Sequence, residues 1–366
     1  MRVKRQAPDF VLFVSVLMLL SIGIVMILSA SEYSTLVHYS DSFYFFKRQL
    51  LWALLGLTCM FLVMNYDYWN LRRYAPHMLI TAFVLLILVL LPGIGREVKG
   101  ATRWIGIGSF GFQPSELVKL FIITFMAYGI SRHRDITRDG KAILPYLLII
   151  GAASGLILMQ PDLGTAFSLA GTLFIMLFAA GYSMGILGLL AGGGMALVAV
   201  AIAFEPYRLS RFLAFLNPWE DPSGAGFHII QSLYALGSGG LFGAGLGQGK
   251  QKYLYLPEQH TDFIFAVVGE ELGFVGGVLI LTLFTIFVWR GLRIALTAPD
   301  PFASLLATGI TVGVGLQAFI NIGVVTGSLP VTGITLPFIS FGGTSLVFTL
   351  IGVGILLNIS KYAQSR

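Results

Sequence analysis

Charge is scarce in this chain. Of its 366 residues only 11% are Asp, Glu, Lys or Arg, while 56% are hydrophobic and the mean hydropathy is +0.85. A soluble domain carries roughly a quarter charged residues, so that class is excluded. Cysteine is almost missing: Cys59 stands alone inside an apolar run. No internal disulfide or thiolate zinc cluster is available, and this residue reads as a small buried apolar group. No His-Glu-x-x-His run suggests a zinc site, and no G-x-S-x-G elbow suggests a serine hydrolase. Glycines at 237, 239, 240, 243, 245, 247 and 249 invite a phosphate-loop reading, but the register fails. A Walker loop ending at Gly249-Lys250 needs glycine at 244 and Ser or Thr at 251, where this chain has Ala244 and Gln251. The G-x-G-x-x-G spacing breaks at Gln248. Close packing of loop backbone is the expected role of these glycines.

What the chain does have is long apolar runs. Ten of them approach the 17–25 residues that cross a bilayer: 10–29, 48–65, 77–92, 115–131, 143–160, 163–181, 184–204, 263–289, 303–326 and 340–358. The pattern predicts an all-α polytopic membrane protein with ten transmembrane helices and one membrane domain over 1–366. The first run is too long for a removable signal peptide and lacks its small-residue cleavage site, so it reads as a permanent helix. The net charge of +6 is topological. With the N-terminus inside, one side holds Arg2, Lys4, Arg5, Arg72, Arg73, Arg132, Arg134, Arg138, Lys141, Arg290, Arg293, Lys361 and Arg366, 13 of the 23 basic residues. This asymmetry places both termini in the cytoplasm and argues against a nucleic-acid partner. One connection is long: the extracytoplasmic loop between spans seven and eight, 204–262 with its flanking residues. It is too apolar for a solvated linker, and Phe227–Leu236 reads as a short amphipathic helix within it.

Four polar clusters interrupt this apolar background on the outer side. The most informative is LPEQHTDFIFAVVGEELG, Leu256–Gly273, which places His260, Asp262, Glu270 and Glu271 at the mouth of span eight. An ionisable group at bilayer depth costs several kcal/mol unless it finds a partner or lines a cavity. Asp262 at the helix start is either an N-terminal acid favoured by the dipole or a reactive group. Glu270 and Glu271 point in roughly opposite directions; Glu270 lies nearer the Asp262 face and is favoured as functional. The second cluster is Arg103-Trp104 with QPSELVK, where Pro114 opens a helix and Glu116 and Lys119 are neighbours at i,i+3. They form either a self-neutralising pair or a polar cavity wall. The third is QPDLGT, with Gln160 and Asp162 where spans five and six meet, a turn or a site. The fourth is GSLPVTGITLPFISFGGTSL, 327–346, irregular backbone that is tolerated at this depth only inside protein or around a cavity.

Taken together these motifs resemble the SEDS family (shape, elongation, division and sporulation). The matching segments run in order along nearly the whole chain: RWIGIGSFGFQPSELVK, QPDLGT, NPWEDP with GAGFHIIQSLYALGSGGLFGAGLG, YLPEQHTDFIFAVVGEELG, and NIGVVTGSLPVTGITLPFISFGGTSL. NPWEDP and GITLP resemble the FtsW/SpoVE branch. Phe341 stands where a tyrosine is common. The resemblance implies a peptidoglycan glycosyltransferase of the bacterial cytoplasmic membrane that polymerises lipid II onto a lipid-linked glycan chain. It implies a catalytic aspartate at Asp262. It also implies a class B penicillin-binding protein as partner, among other divisome or spore-cortex membrane proteins.

On that footing Asp262 is expected to take a proton from the acceptor sugar hydroxyl. Displacement of the pyrophosphate would then invert the anomeric carbon, by analogy with inverting glycosidases. Lys119 is the expected phosphate-neutralising cation, with Arg103, or Arg208 and Arg211, nearby. Glu116, Asp162, Gln160, His260 and Glu270 complete the expected substrate-binding set. No cofactor is required, and a divalent cation such as Mg2+ is left open. Two alternatives stay open: a lipid II flippase, and a non-catalytic scaffold for a transpeptidase.

Overall fold

The computed structural model describes residues 6–98, 100–107, 110–132, 143–253 and 255–363. Of the basic residues behind the topological argument, Arg2, Lys4, Arg5, Arg134, Arg138, Lys141 and Arg366 lie outside the described residues.

Every predicted apolar run is a helix. They are α1 (Phe10–Tyr39), α2 (Tyr44–Asn65), α3 (Trp69–Leu90), α4 (Pro114–Arg132), α5 (Leu144–Leu158), α6 (Leu163–Ala179) and α7 (Met184–Ala203). After the long loop come α10 (Ile264–Thr297), α11 (Pro301–Val325) and α12 (Gly343–Ser360). Lipid offers no hydrogen-bond partners, so an apolar chain at this depth satisfies its backbone internally as helix. Among the described residues, eight helices are long and apolar enough to cross a membrane. α5 and α6, with 15 and 17 residues, are shorter. At 1.5 Å per residue they span about 22–26 Å, less than a hydrocarbon core of about 30 Å.

Several helices outrun their expected bounds. α1 continues ten residues past 29 because Ser31 and Thr35 turn their hydroxyls back to the carbonyls of Ile27 and Ser31, at 2.7 and 2.8 Å, and so hide their polarity. α3 begins at Trp69, ahead of Pro76, which lies inside the helix and leaves the Arg72 carbonyl without its i+4 amide donor.

A small sheet adds to the helical fold. Between α3 and α4 lies a small antiparallel sheet of β1 (Gly95–Val98), β2 (Ala101–Ile107) and β3 (Phe110–Phe112), in the order β1-β2-β3. Alternation along β2 sends Arg103 and Trp104 to opposite faces. The loop after α7 carries α8 (Pro206–Leu216), a 3-10 turn at Pro218–Glu220, and α9 (Phe227–Gly239), which contains the amphipathic segment expected there.

α12, α11 and α4 form the centre, while α7 is bare: 78% of the span window of α12 is buried, against 6% for α7. At the end of the bundle that holds both termini, polar side chains tie the helices together. Arg290 pairs with Asp9, the N-cap of α1, and Tyr362 donates to Asp67 at 2.5 Å. Tyr68 donates to Asp300 at 2.8 Å. Burial, then Asp300, pushes the Tyr68 phenol up, which keeps it a donor. Asn358 receives the Tyr68 amide and donates to Met64 O.

α10 is broken. Gly273 sits at φ 67°, ψ −164°, a region open essentially to glycine alone. The break frees backbone groups that lipid could not satisfy, and the glycine-rich loop supplies their partners. The Ala244 and Gly245 amides reach the Glu270 and Glu271 carbonyls at 2.9 and 3.0 Å. The Phe274 and Val275 amides reach the Gly240 and Leu241 carbonyls at 2.9 and 3.1 Å. A Cβ on Gly243 would lie 2.1 Å from Glu271 O, which is why this strand of loop is built from glycine.

Candidate functional site

The residues before α10 fold into a tight turn rather than the first helical turn. Thr261 and Phe263 both send their amides to Glu258 O, at 3.1 and 3.2 Å, and Glu258 takes φ 53°. Asp262 therefore sits in this turn, ahead of Phe263, the N-cap of α10. It is half-buried.

The turn is pinned to the 332–341 segment by three contacts. Asn321 Nδ2 donates to Asp262 O and to Ile334 O, both at 2.7 Å. Ser340 Oγ donates to Thr261 O at 2.6 Å. The Phe341 amide donates to His260 O at 2.9 Å. The carboxylate faces Gly333: a Cβ there would lie 3.6 Å from Asp262 Oδ2. His260 is held by aromatic neighbours. Its ring stacks on Phe45, with centroids 4.4 Å apart, and lies beside Phe341.

Lys119 and Glu116 pair at 3.0 Å on α4, as their i,i+3 spacing implies. Lys119 Nζ also donates to Gln317 Oε1 at 2.9 Å, and Gln317 Nε2 donates to Thr335 O at 3.0 Å. A polar string thus runs Glu116–Lys119–Gln317–Thr335 and ends in the segment that faces Asp262. Glu116, Lys119 and Gln317 line a pocket together with Ser168, Thr172 and Thr349.

QPDLGT closes the same region from α6. Asp162 caps α6 by accepting the Thr165 amide at 3.0 Å, and Arg103 Nη1 lies 3.6 Å from its other oxygen. Arg103 also donates to the carbonyls of Gln160 and Pro161. The buried Gln160 side chain donates to Leu86 O at 3.4 Å. Gly164 has no room for a side chain: a Cβ would lie 2.8 Å from Thr332 O and 2.6 Å from Ile334 Cγ1. Thr332 and Ile334 flank Gly333, so the third cluster packs directly on the fourth.

Glu270, expected beside Asp262 in the substrate-binding set, is engaged by loop backbone. It accepts the Lys250 amide at 2.6 Å and the Gln251 amide at 3.2 Å, and is 3% exposed. Glu271 grips the same loop rather than an opposite surface. It accepts from Ser29 Oγ, from the Gly247 amide at 3.0 Å, and from Lys252 Nζ at 2.9 Å. The kink at Gly273 and the wrapping of the loop around α10 let one segment meet both carboxylates. Arg208 and Arg211 do not reach the cluster: Arg208 donates to Ala201 O and Leu158 O at helix ends, and Arg211 lies over the Tyr207 ring.

Gln317 and Asn321 were missed by the sequence reading. They are amides four residues apart on α11, hence on one face of an otherwise apolar span. That isolated polar pair was the available signal. Among the described residues, no group of three His, Cys, Asp or Glu is arranged to hold a metal.

The family described as cell cycle protein (FtsW, RodA and SpoVE) matches residues 10–365. Stage V sporulation protein E of Bacillus subtilis is 49% identical over the whole of both chains. A probable peptidoglycan glycosyltransferase FtsW of Trichlorobacter lovleyi is also 49% identical, over 96% of this chain and 93% of its own. Among solved structures, a peptidoglycan synthase complex described as coordinating polymerization and crosslinking contains a chain with TM-score 0.79 and 33% identity, matched over 97% of this chain and 98% of that one. Rod shape determining protein RodA of Thermus thermophilus matches with TM-score 0.73 and 30% identity, over 98% and 99%.

Proposed function

The chain belongs to the FtsW, RodA and SpoVE cell cycle family, and from that premise we propose that it is a peptidoglycan glycosyltransferase of sporulation or division. Its substrate is lipid II, joined to a lipid-linked glycan chain at the outer face of the bacterial cytoplasmic membrane. Ten helices cross the bilayer, α5 and α6 among them, and both termini are cytoplasmic.

Asp262 is the general base. Its carboxylate takes the proton from the 4-hydroxyl of the incoming N-acetylglucosamine. That oxygen attacks the anomeric carbon of the growing chain, and the carbon–oxygen bond to the pyrophosphate breaks. The pyrophosphate leaves with the bonding pair, and attack from the opposite face gives a β-1,4 link by inversion. The Lys119 ammonium meets the charge that develops on the leaving group, with Glu116 and Gln317 fixing where that ammonium points.

The observation that carries this reading is the pinned, half-exposed Asp262, one backbone segment away from the string that ends on Lys119. A class B penicillin-binding protein is the proposed partner, a reading supported by the likeness to the synthase complex. A lipid flippase needs a path open to both sides in turn. The bracing by Asp9–Arg290, Tyr362–Asp67 and Tyr68–Asp300 at the terminal-bearing end favours a site served from the other end alone. Purified protein given lipid II from the outer side, with and without its partner, separates the two. Glycan polymer is the expected product. Movement of labelled lipid without polymer would overturn the transferase.

A further inference from the structure

Among the described ion pairs, Lys252–Glu271 is the most completely enclosed, with side chains 3% and 0% exposed, and the chemistry above does not use it. A charge pair buried at membrane depth is a poor choice for stability alone. Apolar side chains of equal volume commonly stabilise as well or better, because both ions must be stripped of water. What an apolar pair cannot do is hold backbone groups in fixed directions. Glu271 accepts from Ser29 of α1, from Gly247 N and from Lys252. Lys252 in turn donates to Gly247 O at 2.7 Å and to Ser29 Oγ at 3.1 Å. Glu270, one residue earlier, takes the Lys250 and Gln251 amides.

The position of this clamp gives it a purpose. α10 is interrupted at Gly273, so residues 264–272 form a separate short helix above the break. Its upper end continues into the turn that carries Asp262, held by Asn321, Ser340 and Phe341. Its lower end is held by the clamp. α1 touches both: Ser29 joins the clamp, and a Cβ on Gly23 would lie 2.6 Å from Phe338 O in the segment that pins the turn. Because the helix is severed from the rest of α10, the remainder of that span cannot set its height or rotation. We propose that Lys252, Glu271 and Ser29 are positioning residues that fix this short helix, and through it the Asp262 carboxylate.

The proposal rests on the reading in which Asp262 is the base, and its test keeps the two apart. Wild type, Lys252→Met and the double variant Lys252→Met/Glu271→Met are compared by thermal midpoint, by kcat and KM for lipid II per folded molecule, and by hydrogen exchange of the 255–263 backbone. Lys252→Met alone lowers the midpoint, because it strands a buried carboxylate. The double variant recovers most of that loss, yet its kcat stays about 10- to 100-fold down, the scale expected of a displaced reacting group. KM changes little, and exchange at 255–263 is faster than in wild type in both variants. Recovery of kcat together with the midpoint, with wild-type exchange over 255–263, would overturn the proposal. If wild type makes no polymer, the functional reading fails, and exchange alone decides the clamp: faster exchange upholds it and unchanged exchange overturns it.

Discussion

Asn321 makes two hydrogen bonds with one amide, and both go to backbone that shapes the site, Asp262 O and Ile334 O. Asn321→Leu leaves two carbonyls unsatisfied, at about 1–3 kcal/mol each when buried. A lowered thermal midpoint together with a lower polymerisation rate is expected; a variant with wild-type values for both would show that the bridge is idle. Gly164→Ala pushes a methyl onto Thr332 O, a backbone atom that cannot swing aside. Overpacking of this kind costs about 1–3 kcal/mol, read as a drop in midpoint. Lys119→Glu places an anion beside Glu116, and loss of donor use follows if the ammonium meets pyrophosphate; unchanged product formation and lipid binding would count against that role. At this scale the sequence was partly legible. The i,i+3 spacing announced the Glu116–Lys119 pair. It gave no hint that Glu270 would spend its charge on the amides of Lys250 and Gln251, because that depends on a loop folding back from twenty residues upstream.

At the scale of elements, the glycines at 239–249 and the break in α10 form one device. Helical periodicity reads α10 as a single span and misses the break, since nothing at Gly273 but the glycine itself marks it. The glycine run was readable as backbone packing, which holds at Gly239, Gly243 and Gly249, where a Cβ would meet α10 at 3.0 Å or less. Gly273→Ala forces a side chain into a conformation essentially reserved for glycine and drives its Cβ to 2.3 Å from Gly243 N. The strain is of order 1–3 kcal/mol before the clash is counted. The variant should unfold at lower temperature in detergent than Gly277→Ala, whose nearest contact is an ordinary 3.6 Å. Equal midpoints for the two would contradict the break. The β1–β3 sheet was not foreseen, because strands of three to seven residues in a glycine-rich stretch offer too few alternations to stand out. It nonetheless brings Arg103 to Asp162.

Across the whole molecule the two ends differ in kind. One end is braced by an ion pair and phenol–carboxylate bonds; the other gathers QPDLGT, GITLP and the Asp262 turn around polar side chains. Hydropathy made the helices legible and charge asymmetry gave their expected orientation, but which helices form the centre depends on packing that no single segment encodes. If the ends are independent, Arg290→Met should lower the thermal midpoint, because Asp9 loses its cation and keeps only its hydrogen bond from the Leu12 amide. The rate per folded molecule should be untouched. A lost rate at full stability would argue that the braced end takes part in turnover.

The central claim is that one carboxylate performs the proton transfer. Its most direct measurement is single-turnover polymerisation of lipid II by purified, partner-bound protein, comparing wild type with Asp262→Asn, a change that keeps the size of the side chain and removes its basicity. General base catalysis contributes roughly 10²–10⁴-fold, about 3–5 kcal/mol of barrier. The expected result is a loss of that size with lipid II binding and thermal midpoint retained. A variant that polymerises at the wild-type rate would contradict the account.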